Sequence, residues 1–444
     1  MSRFRGLVFR HTSRRLFYGW VILAAAAVSF FASGPGQSHT FGVFIGPIGD
    51  ELGLSGTAIA SAYALATLAA ALALPRLGRL VDRYGVRRTL VVVALLLGTA
   101  CAAFGAATGA TSLALGFAAL RLLGQGALML LCATLVAHWF VARRGFAMGL
   151  MALGFAASMA LHPPLAQWLV EAVGWRQAWL WLGLLTWVLL LPLALAVIHD
   201  RPEELGLEPD GGARPDPASP AGSGADEGTG EGTASAETGL TLGAALRTRA
   251  FWIVAAALFT PSLVITALFF FQVSIFAAQG LGQAAAARVF TVSGVVMALC
   301  MPLVGRALDR FPTPYVLAAA LLLLAVTTVT ATRVDDAATA LAYGVLFGAN
   351  NAANITFFGY MWARYFGRRH LGSIQGAGQM IGVVGASAGP LPLAIAFDLS
   401  GDYQEAMLML AALPLICAIL VLFLREPPGM AGPGRGDRGM TTGA

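Results

Sequence analysis

The chain has 444 residues, of which 58% are hydrophobic and 11% charged, with a mean hydropathy of +0.75. A soluble domain carries about 25% charged residues because something must face water. This composition therefore excludes a soluble enzyme, and the surface must face lipid. All 28 basic residues are arginine and the formal net charge is +6, but their placement, set out below, explains the surplus without a nucleic-acid partner.

A helix crossing the hydrocarbon core needs about 20 mostly apolar residues. Twelve such stretches follow one another, starting near Tyr18, Thr57, Thr89, Thr111, Gly145, Gln177, Ala250, Ala285, Pro314, Ala337, Gly372 and Gln404. Barrel strands would be about half as long and would alternate polar with apolar residues. The expected fold class is an all-α membrane protein with twelve transmembrane helices in two six-helix halves. Arg3, Arg5, Arg10, Arg14 and Arg15 precede the first stretch like the basic region of a secretory signal. The apolar run continues past Phe31 to Phe44, so it reads as a first helix. Cys101, Cys132, Cys300 and Cys417 all sit in apolar stretches and read as packing residues.

Between Glu208 and Thr241 hydrophobicity vanishes into Gly, Ala, Pro, Ser, Asp and Glu, a composition that cannot bury enough surface to order itself. The expected organisation is a cytoplasmic segment over 1–17, a six-helix half over 18–200, a linker over 201–249 disordered in its middle, a second half over 250–424 and a tail over 425–444. The halves echo each other. Gly78-Arg79-Leu80-Val81-Asp82-Arg83 returns as Gly305-Arg306-Ala307-Leu308-Asp309-Arg310, and Trp139-Phe140 with Arg143-Arg144 returns as Tyr365-Phe366 with Arg368-Arg369. Both pairs lie about 226 residues apart, the mark of a parallel internal repeat.

With both termini on one side, that side holds 24 arginines and the other holds Arg176, Arg288 and Arg333. The positive-inside rule makes the rich side cytoplasmic. Phe17, Tyr18 and Trp20, with Trp175 and Trp179, are expected to form interfacial aromatic belts, and His138 and His370 to face headgroups.

The stretch Gly78-x-x-x-Asp82-Arg83-Tyr84-Gly85-Val86-Arg87-Arg88, with its weaker copy at 305–310, resembles the signature loop of the major facilitator superfamily. Tyr18-Gly19-Trp20, Gly174-Trp175-Arg176, Arg201-Pro202-Glu203-Glu204-Leu205-Gly206-Leu207 and the run from Tyr365 to Gly372 resemble bacterial members of its monocarboxylate porter and oxalate/formate antiporter branch. The resemblance covers roughly residues 17–425. It implies a carrier of the inner membrane with both termini cytoplasmic, a small-molecule substrate and no cofactor. It also implies that Gly78, Asp82, Arg83 and Gly85, with Asp309 and Arg310, gate the cytoplasmic ends. Physically, Asp82 suits free amides at a helix start, whereas Arg87 and Arg88 suit lipid phosphate. The basic residues that carriers of this branch use in their second half have no evident counterpart.

Every acidic residue maps to a loop or a helix end, so Arg121 is the one formal charge near mid-membrane. An arginine there costs about 2.5–3.5 kcal/mol on the insertion scale. A substrate carboxylate would answer it through two hydrogen bonds; carbonyls and water are the alternative. His39 and Gln37 fall in Gly34-Pro35-Gly36-Gln37-Ser38-His39-Thr40, where the first helix is interrupted, and His162 precedes Pro163-Pro164. Broken helices at membrane depth line cavities, and a histidine there is either a titrating group or a hydrogen-bonded packing residue. Asn350, Asn351 and Asn354 share one side of a helix. Together with Gln272, Gln375 and Gln379 they are candidates either for binding or for interhelical bonds.

The reading is a monomeric secondary carrier of a small organic anion, most simply a monocarboxylate, with proton or counter-anion coupling left open. A drug/proton antiporter is the alternative, but it needs an embedded acid that the sequence lacks. A transport-like sensor is the remote one, and the linker carries no signalling domain. Metal-ligand and nucleophile patterns do not stand above background.

Overall fold

The computed structural model describes residues 17–140, 143–212, 240–367, 371–425 and 427. Most of the expected N-terminal segment, the middle of the linker, His370 and most of the tail lie outside the described residues. Within them the chain is helical throughout. The first helix, α1 (Gly19–Phe31), is apolar on all sides and stops at Gly34-Pro35-Gly36, where proline offers no amide and glycine favours other backbone angles. After one 3₁₀ turn the chain restarts as α2 (Ser38–Leu52). It continues as α3 (Gly56–Tyr84), α4 (Val86–Gly105) and α5 (Ala110–Leu120), which passes through a wide π turn, Arg121–Ala127, into α6 (Leu128–Trp139). The 49-residue run α7 (Arg144–Pro192) is divided at Gly174, whose φ of 80° suits glycine and few other residues.

Beyond the linker come α8 (Leu242–Leu246), α9 (Arg249–Ala278), α10 (Gln283–Arg310), α11 (Thr313–Ala331) and α12 (Ala337–Phe366). They are followed by α13 (Leu371–Ala388), α14 (Pro390–Ser400) and α15 (Gln404–Leu422). Among the described residues nine helical runs are long and apolar enough to cross a membrane, one of them the run divided at Gly174. The helices lie where the twelve expected spans begin.

The two halves meet at the end of the bundle away from residues 17 and 425. Hydrogen bonds that join them lie towards that end. The Thr57 amide donates to Asp398 Oδ2 (2.9 Å), Gln167 Nε2 to Gln283 Oε1 (3.3 Å), and Thr291 Oγ1 to the Ala160 carbonyl (2.7 Å). Tyr63 packs on Phe270 and His39 on Phe269 across the same seam. At the other end Leu80, Tyr84 and Phe311 stand exposed.

The expected aromatic belt is corrected. Tyr18, Trp175 and Trp179 are buried, because their polar tips or rings have better use inside. Tyr18 donates its hydroxyl to the Val197 carbonyl, Trp175 donates to Glu51, and Trp179 stacks among Phe41, Phe44 and Phe104. The outward-facing tryptophans are Trp168, Trp181 and Trp252.

Candidate functional site

The break between α1 and α2 creates the site. Ser33 Oγ donates to the Phe30 carbonyl (2.7 Å), and Gln37 Nε2 donates to Ser33 Oγ (3.0 Å), holding the interrupted backbone. Gly36 and Gly124 lie back to back: a Cβ on Gly36 would sit 2.4 Å from the Leu120 carbonyl, and one on Gly124 2.8 Å from the Gly36 Cα. Only glycines allow this approach, which brings the Gly36 carbonyl to the π turn. Such wide turns recur at functional sites, and here the turn begins with Arg121.

Arg121 is 3% exposed. Its Nη1 donates to the Gly36 carbonyl (3.2 Å) and weakly to Ser38 Oγ (3.4 Å), and the guanidinium carbon lies 5.1 Å from the centre of the Tyr63 ring. Tyr63 in turn shares a 2.8 Å hydrogen bond with Ser38. Arg121 Nε has no hydrogen-bond partner, and no Asp or Glu side chain is buried among the described residues. The guanidinium is therefore held by neutral oxygens and a ring face, as the sequence alternative allowed, yet its charge is unanswered and one donor is spare.

Next to Ser38, His39 points the other way. Its Nε2 lies 3.1 Å from Ser158 Oγ, and the same oxygen lies 3.2 Å from His162 Nδ1. His162 Nδ1 also lies 3.3 Å from the Ser158 carbonyl. The His162 ring stacks on Phe31 at 4.6 Å and lies against Gly34, where a Cβ would collide with it. Both imidazoles are 1% exposed. The structure thus gathers Gln37, His39, Arg121 and His162 into one cluster, and adds Ser38, Tyr63 and Ser158, which sequence reasoning missed. Ser158 stands four residues before His162 on one helical face, a spacing that could have been read. Nothing in the sequence pointed Tyr63 at Arg121.

The second-half candidates do not join this cluster. Asn350 Nδ2 donates to Thr327 Oγ1 (2.5 Å) and the Leu346 carbonyl, and Asn351 Nδ2 to the Phe347 carbonyl (2.8 Å). Gln272 Nε2 donates to the Ala286 carbonyl (3.0 Å), and its oxygen accepts from Tyr343 (3.3 Å). Asn354 and Gln379 are half-buried. The link between the sets is a chain of rings, His39 to Phe269, Phe269 to Phe347, and Phe347 stacked on Tyr343.

Of the signature residues, the side chains of Asp82 and Asp309 lie outside the described residues. Gly78 faces open space, whereas Gly85 has φ 84° and a Cβ there would lie 2.3 Å from Asp200 Oδ2. It is Asp200 that accepts from the amide of Arg87 at the start of α4 (2.6 Å), where the helix dipole favours an anion. Arg87 Nε donates to the Ala194 carbonyl (2.9 Å), and His138 Nδ1 lies 3.1 Å from the Asp200 carbonyl. Arg87 and His138 thus bind protein carbonyls, presented by the π turn after α7, Leu193–Val197, and by Asp200 beyond it. Arg83 lies over Tyr84 and Arg310 over Phe311.

Comparison with known proteins agrees with this architecture. A family model described as Major Facilitator Superfamily matches residues 20–287 and 266–441. Monocarboxylate transporter 11 of Mus musculus is 34% identical over 191 residues, 40% of this chain and 41% of its own length. The Homo sapiens protein of the same name is 34% identical over 188 residues, 40% and 39%. An uncharacterised 38 kDa protein in the 23S RNA operon of Thermoproteus tenax is 29% identical over 185 residues, 41% and 47%. The chain spans less than half the length of these curated relatives. Among solved structures, a bacterial homologue of the human lysosomal transporter Spinster, in an inward-facing and occupied conformation, superposes with a TM-score of 0.68 at 14% identity, covering 94% of this chain and 99% of that one. At that identity the likeness concerns the fold alone.

Proposed function

The chain belongs to the Major Facilitator Superfamily, and from that premise we propose that it moves a small organic anion of the monocarboxylate class by alternating access. It is a multi-pass membrane protein and a transporter rather than an enzyme. The observation that carries the substrate class is Arg121: a buried guanidinium with a spare Nε, a ring face beneath it and no buried carboxylate to meet it among the described residues. A carboxylate supplies the missing charge and accepts in the planar geometry that a guanidinium offers. The partial match to two proteins named monocarboxylate transporter 11 supports the same class.

In this reading Gln37, His39, Arg121 and His162 bind the anion, with Asn354 and Gln379 as the second-half amides that meet it. Asn350, Asn351 and Gln272 already spend their hydrogen bonds on packing. Gly78, Asp82, Arg83 and Gly85, with Asp309 and Arg310, belong in this reading to the gate at the termini's side, which the arginine surplus supports as the cytoplasmic one; the membrane proposed is a bacterial inner membrane. The seam closed by Asp398 and Thr57 is then the external gate.

The test is uptake of labelled lactate, pyruvate, acetate, formate and oxalate into proteoliposomes, with empty liposomes subtracted. Each acid is given with and without an inward proton gradient, and with the same acid preloaded inside. Saturable uptake of at least one acid is expected. No uptake of any acid by correctly inserted protein would refute the carboxylate reading and favour cation efflux.

A further inference from the structure

One feature of this site goes beyond holding an anion: two of its imidazoles, on different helices, share a single hydroxyl. Ser158 Oγ stands 3.1 Å from His39 Nε2 and 3.2 Å from His162 Nδ1. A hydroxyl has one hydrogen to donate and two lone pairs. With both rings neutral it donates to one ring nitrogen and accepts from the other, and the chain is satisfied. We propose that His39, Ser158 and His162 together form the proton site of the carrier, binding one proton from solution for each monovalent anion that Arg121 receives; this rests on the anion-carrier reading above.

The geometry accommodates one added proton without breaking a contact. If the proton enters at the nitrogen that was accepting, both ring nitrogens become donors. The Ser158 hydroxyl then accepts from both rings through its two lone pairs, and the Ser158 carbonyl, 3.3 Å from His162 Nδ1, offers that ring a second acceptor. The hydroxyl hydrogen is released for a further acceptor, and an arriving carboxylate is one.

The surrounding charges tie proton to anion. From α5 and its π turn the nearest charge is Arg121, reached through Ser38, and from α3 the titratable neighbour is Tyr63. The described faces turned to His39 by α7 and α9 are Phe155 and Phe269. No buried carboxylate balances Arg121 among the described residues, so an imidazolium beside it adds a second unanswered positive charge. A bound monoanion cancels one of the two. The empty site and the site holding both anion and proton then carry the same net charge, and both reorient without moving charge relative to each other. Accumulation becomes electroneutral, and an inside-negative potential does not oppose it.

The test compares two modes in proteoliposomes with a pH-sensitive dye inside, using the same five labelled acids. One mode is net uptake driven by an inward proton gradient; the other is exchange against the same acid preloaded. Wild-type protein should acidify the lumen with one proton per monovalent acid, at a rate unaffected by a potassium-diffusion potential. In His39→Gln the ratio of gradient-driven uptake to exchange should fall at least tenfold and lose its pH dependence. Ser158→Ala, which keeps the backbone carbonyl and both rings, should lower the same ratio by a smaller factor. An unchanged ratio in both variants would overturn the proton site. Wild-type exchange with no proton movement would overturn it too, leaving the anion carrier standing as an exchanger. Absence of both modes for every acid would overturn the carrier reading on which it rests.

Discussion

Replacing Arg121 with glutamine separates what this residue does for the anion from what it does for the fold. For the fold the terms nearly cancel. The variant loses the charge on the hydrogen bond to the Gly36 carbonyl, worth about 1.5–3 kcal/mol when a charged group takes part. It also loses the contact with Tyr63, worth about 0.5–2 kcal/mol. Against this it is relieved of about 2.5–3.5 kcal/mol for holding an arginine at membrane depth, and glutamine keeps a donor for Gly36. The net change in stability should stay within about 2 kcal/mol. For the anion nothing of the same geometry compensates, because Arg121 is the one buried guanidinium among the described residues. Truncating one member of a buried charge pair costs about 2–5 kcal/mol, which corresponds to an affinity loss of about thirty-fold to a few thousand-fold. The assays are thermal unfolding in detergent and the concentration dependence of exchange for whichever acid the wild type carries. Unchanged half-saturation in Arg121→Gln would refute the anion role. A collapse in melting temperature without a change in affinity would assign the arginine to the fold instead.

Three other perturbations probe the gates and the linker. Asp398→Asn removes the negative charge at the start of α3 while keeping an acceptor near the Thr57 amide. At this exposed site that should cost the closed seam about 0.3–1 kcal/mol and move the inward-facing population by about two- to five-fold; spin-label distances between the far ends of α3 and α14 report it, and identical distributions would refute a latch. Gly85→Ala should destabilise by about 1–3 kcal/mol, since it strains a positive φ and drives a Cβ into Asp200, whereas Gly78→Ala, with open space around it, should be neutral or slightly stabilising. Equal melting temperatures for the two alanine variants would show that the contact with Asp200 does not matter. Deleting residues 212–236 should leave transport rates within about two-fold, because the segment's composition offers no apolar surface for docking; loss of activity in a normally inserted protein would give the linker a further role.

The helices were legible because a membrane imposes a crude and strong rule: every backbone polar group must be satisfied within its own segment, so spans announce themselves by length and apolarity. The break in the first helix was equally plain, since Gly34-Pro35-Gly36 leaves no way to continue. The direction of side chains was not legible. In a span that is apolar all round, the sequence does not say which face meets lipid and which meets protein. That is why Trp175 and Trp179 read as belt residues yet lie inside, and why His138 and Arg87 read as headgroup anchors yet bind carbonyls after α7. Asp200 was hidden for a related reason. It reads as the end of the first half, and only the fold brings that carboxylate to the start of α4, beside Gly85.

The two halves repeat in sequence but differ in chemistry, and the difference bears on how a rocking carrier couples its cargo to its motion. In the first half, a broken helix, a π turn and two glycines bring Arg121, His39 and His162 within reach of shared hydroxyls. The second half turns Asn350, Asn351 and Gln272 inward to bind its own helices and presents Phe269 and Phe270 at the seam. A charged cluster facing an apolar wall is stable only while water, or an ion that cancels its charge, fills the space between. When the wall closes on the empty site, Arg121 must fall back on Gly36, Ser38 and the face of Tyr63, the partners it holds here. An anion that takes over those bonds changes which arrangement of the halves is cheaper. Differential affinity of that kind is the only lever by which a ligand shifts a conformational equilibrium, and on the proposed anion reading it acts at the break between α1 and α2, where the first half's charge and the second half's rings meet.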